Sequence, residues 1–467
     1  MFHCRKKELE NLNQRYKDGN FECIVIYGRR RIGKTALINE FCKDKPVIFF
    51  SALNASLTEN LESLSRAIYS YQHPDGDIMN APIYSSSDAV LQAITRISQR
   101  KRLIFVIDEY PYLAKAEPSV SSKLQHIIDH VWQNGQLFLI LCGSSMSFME
   151  NQVLGYQSPL YGRRTGQIKL TALTYKEVAE FCPTLNPEQL SLVYGITGGI
   201  PHYINKLNVK NSVDEALLLN FFDTSSYLFE EPENLLKQEL REPALYNSII
   251  TAIAGGSSRC NEIATKVGLE TSFCSKYLKV LLDLGIIQKE TPITEPKSKK
   301  TIYSIGDPFF RFWYRFVPQN MATISSGRFV QVYNKTVKPY LHDYMGLIFE
   351  QMCRQYLLRY APPSVNLSNA GQWWGTDKQL RKEVQIDIVG VPIEGNSYLI
   401  GSCKYRNDKI AVDELELIKH YATVFGKGVD NYYYIFSLGG FTENLLELEA
   451  KGEVTLLTLE DLYFSVS

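Results

Sequence analysis

The chain has 467 residues, too many for one hydrophobic core, so three or four folded units are expected. With 45% hydrophobic and 21% charged residues it reads as a soluble globular protein, and its 50 Lys+Arg offset its 50 Asp+Glu. That balance argues against a protein that coats nucleic acid by bulk charge, while leaving a local basic groove open. Nine cysteines, an odd number with no CxxC pair, argue against zinc ligands or a disulfide framework and fit a reducing cytoplasm. The charged start MFHCRKKELENL has no signal-peptide pattern, and the longest apolar run, residues 137–142, is too short to span a bilayer, so no membrane partner is expected.

In chain order, short apolar runs at 23–27, 47–50, 103–107 and 137–142 predict strands, separated by amphipathic helical stretches. The runs lack two-residue alternation, as strands buried on both faces of a parallel sheet do. The fold class is α/β, doubly wound. Residues 169–240 are mostly helical and broken by Gly198-Gly199 before Pro201, which predicts a small helical lid. Residues 241–335 then give helix, helix, a turn at Gly268, a third helix over 271–284 and two strands flanking Glu295-Pro-Lys-Ser-Lys-Lys, the winged-helix order. Residues 336–467 predict a separate α/β unit: a long helix over 338–358, strands at 383–389 and 398–404, a helix near 412–424, a strand at 432–436 and a final helix.

The chemistry is concentrated in the first unit, residues 1–168. Gly28-Arg29-Arg30-Arg31-Ile32-Gly33-Lys34-Thr35 matches GxxxxGK[ST] between a strand and a helix opening at Ala36. Glycines let backbone N–H groups turn toward phosphates, and the helix N-terminus adds partial positive charge. The motif predicts ATP with Mg²⁺: Lys34 on the β- and γ-phosphates, Thr35 on the metal. Asp108-Glu109 ends the apolar strand over 103–107, with Asp108 expected to hold Mg²⁺ and Glu109 to act as general base. Ser144 and Ser145 follow the next strand and are candidates for touching the γ-phosphate or orienting the attacking water, or for capping a helix. Arg163-Arg164 reads as a guanidinium for transition-state charge, in cis or from a neighbouring subunit, or as a solvated surface pair.

Together these motifs resemble the archaeal-type ATPases, AAA+/STAND-related P-loop proteins. The resemblance rests on Phe2, Arg5, Glu8 and Leu9 ahead of the loop, Tyr27 through Thr35, Ile107-Asp108-Glu109-Tyr110-Pro111, Cys142-Gly143-Ser144-Ser145, Tyr161-Gly162-Arg163-Arg164 and Gly198-Gly199-Ile200-Pro201. It implies ATP hydrolysis, with Arg5 and Pro201 near the adenine. The C-terminal part resembles the domain of unknown function, DUF234, that often accompanies such ATPases and looks like a PD-(D/E)xK nuclease, a restriction-endonuclease-like fold. That likeness implies metal-binding acids at Glu350 and Asp387 and a lysine at Lys404. Ser402 stands where that pattern expects an acid, which puts cleavage in doubt; Asp387 and Lys404 also read as a plain cross-strand ion pair.

Three functions stay open at this level: a DNA-associated motor or switch, a signalling ATPase acting on protein partners, and an ATP-gated nuclease. A homo-oligomer fits each. The third helix of the winged-helix region offers Ser272, Ser275, Lys276 and Lys279, and its wing Lys297, Lys299 and Lys300, a light basic footprint for DNA.

Overall fold

A computed structural model describes residues 2–295, 300–362, 365–378 and 381–464. Lys297 and Lys299 lie outside the described residues. The chain divides into two compact units, Met1–Ala172 and Leu173–Ser467.

In the first unit five parallel strands, β1 (Glu22–Tyr27), β2 (Val47–Ser51), β3 (Ile104–Asp108), β4 (Phe138–Gly143) and β5 (Gly166–Lys169), lie in the order β2-β3-β4-β1-β5. Every residue of β1, β3 and β4 is buried, which explains their unbroken apolar runs. One side of the sheet packs through Val25, Phe105, Ile107, Leu139 and Leu141 on helices carrying Leu64, Ile94 and Leu124. Because all strands run the same way, the chain leaves β1, β3 and β4 at one carboxyl edge, where open α/β sheets gather ligands. The edge strand β5 is absent from the sequence reading: Gly-Gln-Ile-Lys is too short and polar to announce itself, and its pairing with β1 alone defines it.

In the second unit, helices including Pro187–Thr197, Pro201–Leu207, Val213–Phe221 and Tyr227–Glu239 share a core with the aromatic helix Pro308–Phe316. Phe309 stacks on Tyr203 at 4.2 Å and packs against Phe221 at 5.4 Å, and Trp313 Nε1 donates to Phe229 O at 2.7 Å. Aromatic burial of this size dominates local stability. Gly199 sits at φ +67 with its backbone against Leu173 O, where an added Cβ would come within 2.1 Å. The first helix of this region is a single turn, Tyr175–Val178. Helices Pro243–Ala254, Cys260–Val267 and Thr271–Asp283 precede an antiparallel pair, β6 (Ile287–Glu290) and β7 (Ile302–Ile305).

The last sheet runs β12-β11-β10-β9-β8, from β8 (Leu367–Asp377), β9 (Lys382–Pro392), β10 (Leu399–Lys404), β11 (Tyr432–Ser437) and β12 (Thr455–Thr458). β8, β9 and β10 are antiparallel and β10, β11 and β12 parallel. The long helix starts at Leu341 rather than Lys338, because Pro339 falls in a short 3₁₀ turn. β8 and β12 are additions to the sequence reading. β8 carries Ser, Asn, Gln and two glycines, a poor strand composition that its pairing with β9 overrides. Among the described residues, no helix is long and apolar enough to cross a membrane.

Candidate active site

The loop between β1 and the helix Lys34–Cys42 is built by backbone. Gly28 passes so close to the end of β5 that an added Cβ would lie 2.5 Å from Leu170 O. Arg31 is held at φ 68, and Gly33 caps the helix. Ile32 is buried under the loop, while Thr35 and Ala36 are exposed on the helix's first turn. Lys34 is buried and its Nζ donates to Gly28 O at 2.8 Å and Arg29 O at 3.0 Å, so the ammonium lies inside its own loop. Burial pulls the Lys34 pKa below the ordinary lysine value, opposed by the charges of Glu109 and Asp108. Arg30 Nη2 donates to Tyr112 Oη at 2.6 Å.

Thr35 Oγ1 donates to Asp108 Oδ2 at 3.1 Å, joining the loop to the end of β3. Asp108 is buried, and its Oδ1 accepts from Glu109 N at 3.0 Å. Glu109 is a non-glycine residue at φ 50, a strained backbone of the kind that gathers at functional sites. Its Oε2 accepts from Ser144 Oγ at 2.8 Å and Ser144 N at 3.3 Å. Lys34, Thr35, Asp108, Glu109 and Ser144 thus form one connected cluster at the carboxyl edge. Ser145 precedes the short helix Met146–Phe148 and makes no side-chain cap there. Cys142, at the end of β4, is buried beside this cluster, and its thiol pKa is driven well above the usual range by burial and by the neighbouring Asp108.

Three further candidate arginines of this unit bond to partners outside this cluster. Arg163 binds Asp129 with both Nε and Nη2, at 3.0 and 2.9 Å, and donates to Tyr161 O at 2.9 Å. Arg164 donates to Leu154 O at 3.0 Å and lies 5.7 Å from the Tyr161 ring centre. Arg5 is buried at φ 58 and donates to Thr171 O and, at 3.4 Å, to Glu8. Pro201 opens the helix Pro201–Leu207 in the second unit.

A second cluster lies in the second unit. Glu350, on the helix Leu341–Arg359, accepts from Gln372 Nε2 at 2.6 Å and Arg354 Nη2 at 3.3 Å. Burial, reinforced by the Asp387 charge, raises its pKa to about 7. Asp387 Oδ2 accepts from Cys403 N at 3.0 Å, and burial raises its pKa as well. Lys404 Nζ pairs with Glu414 Oε1 at 3.2 Å, not with Asp387, which corrects the cross-strand ion pair. Ser402 Oγ stands 2.7 Å from Glu414 Oε1 and 3.4 Å from Asp387; with one proton to give, it donates to the nearer. A carboxylate therefore does approach Ser402, delivered by the helix Val412–Phe425. No spacing rule marks Glu414 in the sequence, because a helix packed on β10 brings it there. Among the described residues, no group of three or more His, Cys, Asp or Glu side chains could hold a metal ion.

Residues 2–207 match a family model described as an ATPase domain predominantly from Archaea. Residues 313–416 match DUF234, archaeal and bacterial proteins of unknown function. An uncharacterised protein of Methanocaldococcus jannaschii is 32% identical over 469 residues, spanning 99% of this chain and 100% of its own. The chain belongs to this archaeal-type ATPase family. A second protein of that organism, described as an uncharacterised ATP-binding protein, is 45% identical over 47 residues, 10% of this chain and 80% of its own. Among solved structures, the Walker-type ATPase of Pyrococcus abyssi matches with TM-score 0.51 at 19% identity, over 67% of this chain and 96% of that one. That likeness shows the fold: the parallel sheet of this archaeal-type ATPase is a P-loop ATPase core, followed by a C-terminal mixed-sheet domain.

Proposed function

We propose that the first unit binds ATP with Mg²⁺ and hydrolyses it. The observation that carries this reading is the 3.1 Å bond between Thr35 and Asp108, with Glu109 held by Ser144 beside it. Mg²⁺ prefers hard oxygen ligands and keeps several waters, which suits a hydroxyl and a carboxylate. Gly28 lets the loop backbone pass against Leu170 O, and the helix Lys34–Cys42 that follows presents its N-terminal N–H groups to an anion. Lys34 then exchanges its bonds to Gly28 O and Arg29 O for phosphate oxygens, Thr35 and Asp108 hold the metal, and Glu109 polarises the attacking water.

Nucleic acid is the partner this reading gives to the second unit, as a winged helix beside a nuclease-like domain that binds and does not cut. Ser272, Ser275, Lys276 and Lys279 are all exposed on the helix Thr271–Asp283, a polar face suited to a phosphate backbone. The test is ATP binding and turnover by wild type and Lys34→Ala, each with and without single-stranded and duplex DNA. Lys34→Ala is expected to lose tight ATP binding and keep its fold. Wild-type affinity in that variant overturns the ATP site.

A further inference from the structure

A cleft of ≈ 380 Å³ lies within the second unit and takes in Lys300 of the wing but no other candidate residue. One wall is Ser258, Arg259, Lys300 and Ile302, from the start of the helix Cys260–Val267 and from β7 with the residue preceding its neighbour. The other wall is one face of the β8–β9 ladder: Gln372, Trp374 and Thr376 with Glu383 and Gln385. The register sets Trp374 opposite Gln385 and Thr376 opposite Glu383, so these side chains share a face. The two walls are fixed to one another. Ile293 N donates to Gln372 O at 3.0 Å, and Arg354 pairs with Glu290 of β6 at 3.5 Å.

Two features of the cleft are not accounted for by folding. Trp373 is buried in the core, whereas its neighbour Trp374 is only half-buried among polar side chains, an uneconomical place for the largest aromatic ring. The cleft also has a direction. Glu383 and Gln385 share one face of β9 with Trp374 and Thr376 of β8, ahead of the register shift that follows Ile386. At the inner end Gln372 donates directly to Glu350 at 2.6 Å. The cleft floor therefore leads to the Glu350–Asp387 cluster. Among the lining residues, the cations Arg259, which also lies 3.9 Å from Glu262 of its own helix, and Lys300 stand on one wall and the carboxylate Glu383 on the other.

We propose that this cleft binds a single strand of nucleic acid, with Arg259 and Lys300 on its phosphates, Trp374 stacked on a base, and the strand running toward Glu350 and Asp387. This deepens the nucleic-acid reading and rests on it. A single strand is the form that fits, because an unpaired base presents the ring face that Trp374 can cover, while a duplex hides it. Polar Gln385, Thr376 and Ser258 add hydrogen bonds without demanding one base.

The experiment measures binding of labelled oligothymidylate, and of a duplex of the same length, to the full chain over a range of salt. Trp374→Ala is expected to weaken oligothymidylate binding about tenfold, an ordinary loss for one stacked base. Arg259→Ala with Lys300→Ala, at exposed positions where folding is safe, is expected to weaken binding and to reduce the salt slope by roughly 1.4, two phosphate contacts on a single strand. Lys237→Ala, an exposed cation of the same unit outside the cleft, leaves oligothymidylate binding at the wild-type level. If wild type binds the oligonucleotide and the cleft variants keep its affinity and salt slope, the cleft assignment falls while the nucleic-acid reading stands. Preference for duplex, lost on Lys276→Ala with Lys279→Ala, also overturns the cleft and moves binding to the helix. Displacement by thymidine monophosphate at the oligonucleotide's own affinity overturns the strand in favour of a mononucleotide. Binding of neither nucleic acid overturns both readings.

Discussion

The phosphate loop and the Glu350 cluster gather charge in opposite ways. At the loop, eight consecutive residues shape the backbone, and only Thr35, Asp108, Glu109 and Ser144 must meet across strands. The Glu350 cluster is assembled from side chains on a helix, three strands and a second helix: Glu350, Gln372, Asp387, Ser402 with Lys404, and Glu414. The loop buries a cation, whose pKa falls; the cluster buries two acids, whose pKa values rise. A backbone site is written in sequence because the turn itself needs particular residues at fixed spacing. A side-chain site can be completed from any element that reaches it, so its membership is decided by packing.

The sharpest way to break this contrast is at Glu109. Glu109→Gln keeps the shape and an acceptor for Ser144 but cannot take a proton, so ATP binding is expected to persist while turnover falls about 10²-fold or more. Steady-state turnover within a few-fold of wild type removes Glu109 from the base role and leaves the carboxyl edge as a binding site only.

The second test titrates the acidic cluster. The folded pKa of Glu350, about 7, lies above the ordinary carboxylate value near 4.5, so the folded state holds the proton to higher pH than the unfolded chain does. Stability from this group is complete below about pH 4.5, declines as pH rises, and is lost above about 7. Glu350→Gln, which still accepts from Gln372 and Arg354, is therefore expected to match wild type near pH 4.5 and to exceed its stability at pH 8 by roughly 1–3 kcal/mol. Urea unfolding across that range measures it. Parallel curves for the two proteins mean that folding leaves the Glu350 pKa at its unfolded value, and the contrast between the two clusters fails.

The smallest effect is expected at Ser144. Ser144→Ala removes the hydroxyl that holds Glu109 at 2.8 Å and leaves the backbone N–H at 3.3 Å. Turnover is expected to fall roughly 3–10-fold with ATP affinity unchanged, the scale of one hydrogen bond. A loss equal to that of Glu109→Gln makes Ser144 a direct contact of the reacting phosphate instead.

The loop and the strand before it were legible in the sequence because GxxxxGK[ST] and an unbroken apolar run are local patterns with local causes, steric freedom and burial on both faces. Asp108 and Glu109 were legible for the same reason: they end such a run. The sequence also yielded the helix–helix–helix–hairpin order and β9 through β11. It did not yield β5 or β8, whose polar residues and glycines form strands only because β1 and β9 offer them a ladder. Nor did it tell which partner Lys404 takes, that Trp373 enters the core while Trp374 faces a cleft, or that Glu414 approaches Ser402. Each of these depends on which elements pack together, and contacts between residues far apart in the chain leave no periodicity or spacing in the sequence from which to read them.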